Sequence, residues 1–114
     1  MKIELLYFVG CPTYLGAESL IAEVLQTHGV PAEIEMREIK TAEDALQMRF
    51  LGSPTIRVEG VDIDPSARSS NEFGLRCRVY RDGNRFVGVP PRELMERALK
   101  EAAHGQEDCC TVNG

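Results

Sequence analysis

The chemistry open to this sequence rests on four cysteines, and Cys11 is the best placed of them. It lies in Tyr7-Phe8-Val9-Gly10-Cys11-Pro12-Thr13-Tyr14, where an apolar run stops and an amphipathic helix is expected to begin. A thiol at a helix N-terminus faces unpaired backbone N–H groups and the positive end of the helix dipole. Both favour the thiolate, which is the nucleophilic and metal-binding form. The plainer reading is a buried structural cysteine that happens to precede a helix. Cys77 stands between Arg76 and Arg78 in an expected strand. If the arginines face solvent, alternation turns Cys77 to the core, where a small thiol packs well. Its rival role is a resolving cysteine or second ligand for Cys11. Cys109 and Cys110 are adjacent in a polar C-terminal segment. Such a pair can chelate a soft cation or attack a mixed disulfide, and packing does not explain it. The alternative is a dipeptide of no consequence.

Other reactive arrangements are sparse. Asp62 and Asp64 fall in a long polar stretch, where they can carry a proton or simply solvate the loop; solvation is expected. His28, near the end of the first helix, reads as a complement to the helix dipole. No Cys-x-x-Cys is present, and only His28 and His104 could help bind zinc. Neither a glycine-rich phosphate loop nor a Ser–His–Asp arrangement is readable.

Composition narrows the classes further. A chain of 114 residues is one domain by size and needs no staples for its core. Thirteen basic and eighteen acidic residues give a net charge of −5, which argues against nucleic acid or an anionic membrane as the main partner. The longest apolar run, Leu5 to Val9, is far too short to span a bilayer, and Glu4 interrupts any signal-peptide core. A cytoplasmic location is therefore expected. In a reducing compartment the cysteines point to catalysis, redox chemistry or metal more than to a disulfide scaffold.

Several elements must position these groups. Residues 2–9 read as a buried central strand. Pro12 suits the first turn of a helix carrying Ala17, Leu20, Ile21, Val24 and Leu25, which His28-Gly29 ends. Residues 32–39 alternate as a strand with Ile34 and Met36 on one side. Thr41 and Asp44 form a capping-box pattern for a short helix reaching about Phe50. Thr55–Glu59 is a strand ended by Gly60, and 60–75 is a long polar loop. Leu75–Tyr80 and Arg85–Val89 make a hairpin around Asp82-Gly83-Asn84. Pro90-Pro91 opens a last helix. The order βαβαββα implies an α/β fold with a mixed four- to five-stranded sheet and helices on both faces. Residues 1–104 form the domain, and 105–114 a flexible polar tail.

This order, with Cys11-Pro12 at the first strand–helix junction and Gly52-Ser53-Pro54-Thr55 before the third strand, resembles the thioredoxin-like superfamily over about residues 2–103. The resemblance implies that Pro54 is cis and lies beside the active cysteine. Gly74-Leu75-Arg76-Cys77-Arg78-Val79-Tyr80, followed by Gly88-Val89-Pro90, further resembles small thioredoxin-like proteins described as alkylmercury lyase-like. The departure is Tyr14, which stands where a Cys-x-x-Cys motif would have its second cysteine. A dithiol cycle within the motif is therefore impossible. Tyr14 either donates a hydrogen bond to the sulfur or packs, with packing slightly favoured.

Three functions are compatible with these residues. In the first, Cys11 exchanges with a small thiol or disulfide, or with a protein disulfide, and needs no cofactor. Cys77, Cys109, Cys110 or an external thiol such as glutathione resolves the intermediate. Pro54 then shapes the groove, and the backbone of Ser53 or Thr55 pairs with an extended substrate. In the second, Cys11, Cys109 and Cys110 bind a soft metal such as mercury, copper(I) or arsenic(III). A lyase variant would hold an organomercurial while Asp62 or Asp64 protonates the leaving carbon. In the third, the domain is a non-catalytic binding scaffold.

Overall fold

The computed structural model describes the backbone of residues 1–113 and the side chains of residues 1–103. Strand β1 (Lys2–Tyr7) leads to helix α1 (Tyr14–His28), strand β2 (Glu33–Glu38) and helix α2 (Ala42–Gln47). Strands β3 (Thr55–Val58) and β4 (Val61–Asp62) follow, then a 3-10 turn at Pro65–Ala67. Strands β5 (Tyr80–Asp82) and β6 (Arg85–Val87) precede helix α3 (Arg92–Asn113). The stretch expected as a tail, 105–114, instead continues the backbone of α3 as far as Asn113. The side chains of His104, Cys109 and Cys110 lie outside the described ones.

The architecture is mixed α/β. One four-stranded sheet runs β2-β1-β3-β4, with β1 parallel to β2 and antiparallel to β3. The β1–α1–β2 crossover gives the parallel pair, as the opening pattern requires. Because β1 is central, its alternate residues enter two cores. Ile3 and Leu5 join Ile56 and Val58 of β3 beneath α1 and α3, whose Ala17, Ile21, Val24, Met95 and Leu99 cover that face. Leu6 points the other way, to Ile39, Ala45 of α2 and Phe50. Helices thus cover both faces of the sheet. Ile34 and Met36 of the edge strand β2 pack against the first cluster.

Local signals act as their chemistry dictates. The Thr41 hydroxyl accepts the Asp44 N–H at 3.0 Å and caps α2. Gly29 closes α1 in the left-handed conformation. His28 Nε2 lies 2.6 Å from Glu96 Oε2, so it ties the end of α1 to α3 as well as complementing the dipole. The guanidinium of Arg57 donates to the carbonyls of Met48 and Arg49 and so satisfies the end of α2. Among the described residues no helix is long and apolar enough to cross a membrane.

Two expectations need correction. The stretch after Gly60 is not all loop: Glu59 and Gly60 both take positive φ (52° and 81°), and the tight turn they make folds Val61-Asp62 back onto β3 as the fourth strand. The later hairpin therefore stands apart as its own two-stranded ribbon and starts at Tyr80, not Leu75. Residues 75–79 are irregular except at Cys77, which makes a single parallel bridge to Ser53.

Candidate functional site

Cys11 follows β1 at the turn into α1; its N–H bonds to the Phe8 carbonyl at 3.0 Å. The side chain is 3% exposed. It forms a disulfide with Cys77, with the two Cα atoms 5.6 Å apart and the residues 66 positions apart in sequence. The structure thus joins two sequence-flagged cysteines. The expectation that Cys77 turns to the core is overturned: Cys77 is exposed and its neighbour Arg78 is buried. The reason is a partner for the arginine. Asp62 accepts from Arg78 through both oxygens, at 2.8 and 2.9 Å. Strand alternation does not hold over this irregular segment, where Arg76 and Cys77 are both exposed.

The partner segment 76–78 is fixed to the Ser53-Pro54 turn by several bonds. Ser53 N–H donates to the Arg76 carbonyl, and Arg78 N–H donates to the Ser53 carbonyl, both at 2.8 Å. Beneath them, Arg78 Nη1 also reaches Thr55 Oγ1 at 3.3 Å, and Thr55 Oγ1 donates to the Gly52 carbonyl at 2.6 Å. The Arg78 guanidinium lies over the Tyr80 ring, 4.5 Å from its centre, and the Tyr80 hydroxyl donates to the Pro54 carbonyl. The peptide joining Ser53 to Pro54 is cis. Gly52 makes the close approach possible, because a Cβ there would sit 2.9 Å from Arg78 Cβ. The two residues flanking Cys77 are thus held on the turn that faces Cys11.

The electrostatics are those of a buried, satisfied ion pair. Burial alone would lower the Arg78 pKa; the Asp62 hydrogen bonds, the Tyr80 oxygen and the charge of Asp64 outweigh it, and the net direction is up. A buried pair of this kind adds little net stability over an apolar replacement, but loss of one partner leaves an uncompensated charge. Burial pushes the Tyr80 pKa well above its ordinary value, with Arg78 opposing and Asp62 and Asp64 adding to the rise.

The sequence pattern leads one to expect Asp62 and Asp64 to solvate a loop; both instead have structural partners. Asp62 is 8% exposed and paired, because β4 carries it under the sheet edge toward Arg78. Asp64 caps the 3-10 turn by accepting from the N–H and hydroxyl of Ser66.

Around the Cys11 sulfur the nearest polar atoms are Thr13 Oγ1 at 3.5 Å and the Ser53 carbonyl oxygen at 3.8 Å. In the disulfide the sulfur carries no proton, so Thr13 is the donor and the carbonyl is only a contact. The Ser53 hydroxyl is buried without a partner among the described residues. Tyr14 stacks on Tyr7 with ring centres 4.4 Å apart, and among the described residues it makes no hydrogen bond to either sulfur. Thr13, the hydroxyl that does approach Cys11, is the residue the sequence reading missed; its only signal was its place two residues after the cysteine.

The site departs from expectation in a further way. The backbone N–H and carbonyl of Ser53, expected to be open to an extended substrate, are already taken by Arg76 and Arg78. Among the described residues no three His, Cys, Asp or Glu side chains converge as metal ligands. Of the expected soft-metal ligands, Cys109 and Cys110 lie outside the described side chains, and Cys11 is bonded to Cys77. A cavity of about 290 Å³ is lined by Arg49, Arg57, Arg68 and Phe73, and neither Cys11 nor Cys77 lines it. No protein-family model, no curated protein and no solved structure matches the chain.

Proposed function

We propose that the protein is a thioredoxin-like thiol–disulfide exchange protein that cycles the Cys11–Cys77 pair between disulfide and dithiol. The single observation that carries this reading is the disulfide itself, formed between Cys11 at the start of α1 and a cysteine anchored to the Ser53-Pro54 turn. The pair replaces the missing Cys-x-x-Cys: the second sulfur comes from a distant segment. Anchoring removes most of the conformational entropy that closing a disulfide would otherwise cost. When the bond opens, the Cys11 sulfur becomes an anion at the start of a helix with the Thr13 hydroxyl at hand. Both favour its departure.

In the oxidising direction, one thiolate of the pair attacks a substrate disulfide R–S–S–R, releases R–S⁻ and forms a mixed disulfide. The second thiolate of the pair attacks the protein sulfur of that bond and releases the other R–S⁻. Two electrons pass to R–S–S–R, and both sulfur protons go to solvent. No cofactor takes part.

The test is a redox titration of the full-length protein in glutathione buffers, with the Cys11–Cys77 state read by alkylation and peptide mapping. A reversible two-electron transition at this pair supports the reading, as does loss of disulfide exchange in Cys77→Ser. A pair that stays oxidised in every buffer while the protein remains folded would show a structural bond and end the proposal.

A further inference from the structure

The two cysteines of the bond are not equally exposed. Cys11 is 3% exposed, while Cys77 is exposed. Thiol–disulfide exchange is an in-line displacement: the entering sulfur, the attacked sulfur and the leaving sulfur lie on one line. To attack Cys11, an external thiolate must approach that sulfur from the side away from Cys77. Cys11 is almost wholly buried, with Thr13 Oγ1 3.5 Å and the Ser53 carbonyl oxygen 3.8 Å from its sulfur, so little room is left for that approach. To attack Cys77, it approaches from solvent and expels Cys11 inward. Arg76, next to Cys77, is exposed, so its charge favours an approaching anion.

We infer that Cys77, not Cys11, is the sulfur through which the protein exchanges with external thiols, and that Cys11 is the enclosed leaving and resolving sulfur. This rests on the redox reading above and assigns its roles. The reductive step is R–S⁻ attacking Cys77 Sγ: the R–S–S–Cys77 bond forms, the Cys11–Cys77 bond breaks, and the electron pair leaves on Cys11. A second R–S⁻ attacks the R sulfur of the mixed disulfide, which yields R–S–S–R and the Cys77 thiolate. In reverse, the Cys77 thiolate attacks R–S–S–R, and Cys11 then closes the protein disulfide and releases R–S⁻. The anchored backbone of Arg76 and Arg78 holds Cys77 in reach throughout, so Cys11 need never leave its enclosure.

The experiment uses glutathione as the probe and the full-length chain with Cys109→Ser and Cys110→Ser, so that only Cys11 and Cys77 report. First, the oxidised protein is mixed with reduced glutathione, acid-quenched at short times and mapped. Glutathione on Cys77 with Cys11 free is the expected result; glutathione on Cys11 overturns the inference. Second, Cys11→Ser and Cys77→Ser are each treated with glutathione disulfide, natively and in unfolding urea. Cys77 in the first variant should react at least about tenfold faster than Cys11 in the second, and the difference should vanish in urea, because the folded enclosure causes it. Equal native rates, or a difference that persists in urea, overturn it. Exchange at Cys11 alone would refute these roles and leave the redox reading standing; no exchange at either sulfur would refute both.

Discussion

Tyr80 is buried, with its hydroxyl donated to the Pro54 carbonyl and its ring under the Arg78 guanidinium. Loss of that hydroxyl in Tyr80→Phe strands a buried carbonyl, so the variant should lose about 1–3 kcal/mol at neutral pH. The pH dependence carries a second signature. The folded Tyr80 pKa lies above the ordinary value of 10.0, chiefly through burial. Below that value the hydroxyl is neutral in folded and unfolded chains alike, and its contribution is fully present. As pH rises past it, the unfolded chain releases the proton and the folded one holds it. Stability therefore falls with pH in that range. Tyr80→Phe has no such proton, so its alkaline limb should be flatter and the two curves should draw together. Urea midpoints of the oxidised proteins from neutral to alkaline pH measure this; parallel curves would mean that Tyr80 ionises normally in the fold.

Among the elements, the irregular segment 75–79 matters most, and Gly52 is what lets it approach. Gly52 has φ of 124°, and a Cβ there would lie 2.9 Å from Arg78 Cβ and 3.2 Å from the Arg76 carbonyl oxygen. In the dithiol form of Gly52→Ala the segment can retreat from the new methyl group. In the disulfide form Cys77 is tethered and the clash is retained. The strain therefore falls on the oxidised state, and the Cys11–Cys77 equilibrium constant against glutathione should drop by about tenfold. An unchanged constant, with only global stability lowered, would mean that the segment does not yield on reduction. The same segment shows how far the sequence could be read. Strand β1, helix α1, the alternating β2 and the Thr41 cap were legible because burial period and capping are local. Strand β4 was not: two residues carry no period, and its turn needs Glu59 at positive φ. The place of Cys11 at the β1–α1 turn and the cis peptide before Pro54 were legible from their junctions. Arg78 was assigned to solvent because its partner Asp62 lies 16 residues away on a strand the pattern did not reveal.

For the whole molecule, the decisive matter is whether the fold survives without its disulfide. A bond closing 66 residues contributes about 4 kcal/mol by chain-entropy arithmetic. That is large against the usual 5–15 kcal/mol of a domain. A bond of this span would serve equally well as a fixed staple in an oxidising compartment, so the disulfide alone does not separate the two roles. The cores do. The larger cluster, built from β1, β3, α1 and α3, contains neither Cys11 nor Cys77. The same holds for the cluster under α2, built on Leu6, Ile39, Ala45 and Phe50. The Arg78–Asp62 pair contains no cysteine either. The reduced protein should therefore unfold cooperatively in urea, with a lower midpoint and at most about 4 kcal/mol less stability than the oxidised form. Circular dichroism of the reduced protein without denaturant should match the oxidised spectrum. A reduced chain that is already unfolded would make the bond a staple, because a protein that exchanges thiols must hold its sulfurs in place in both states.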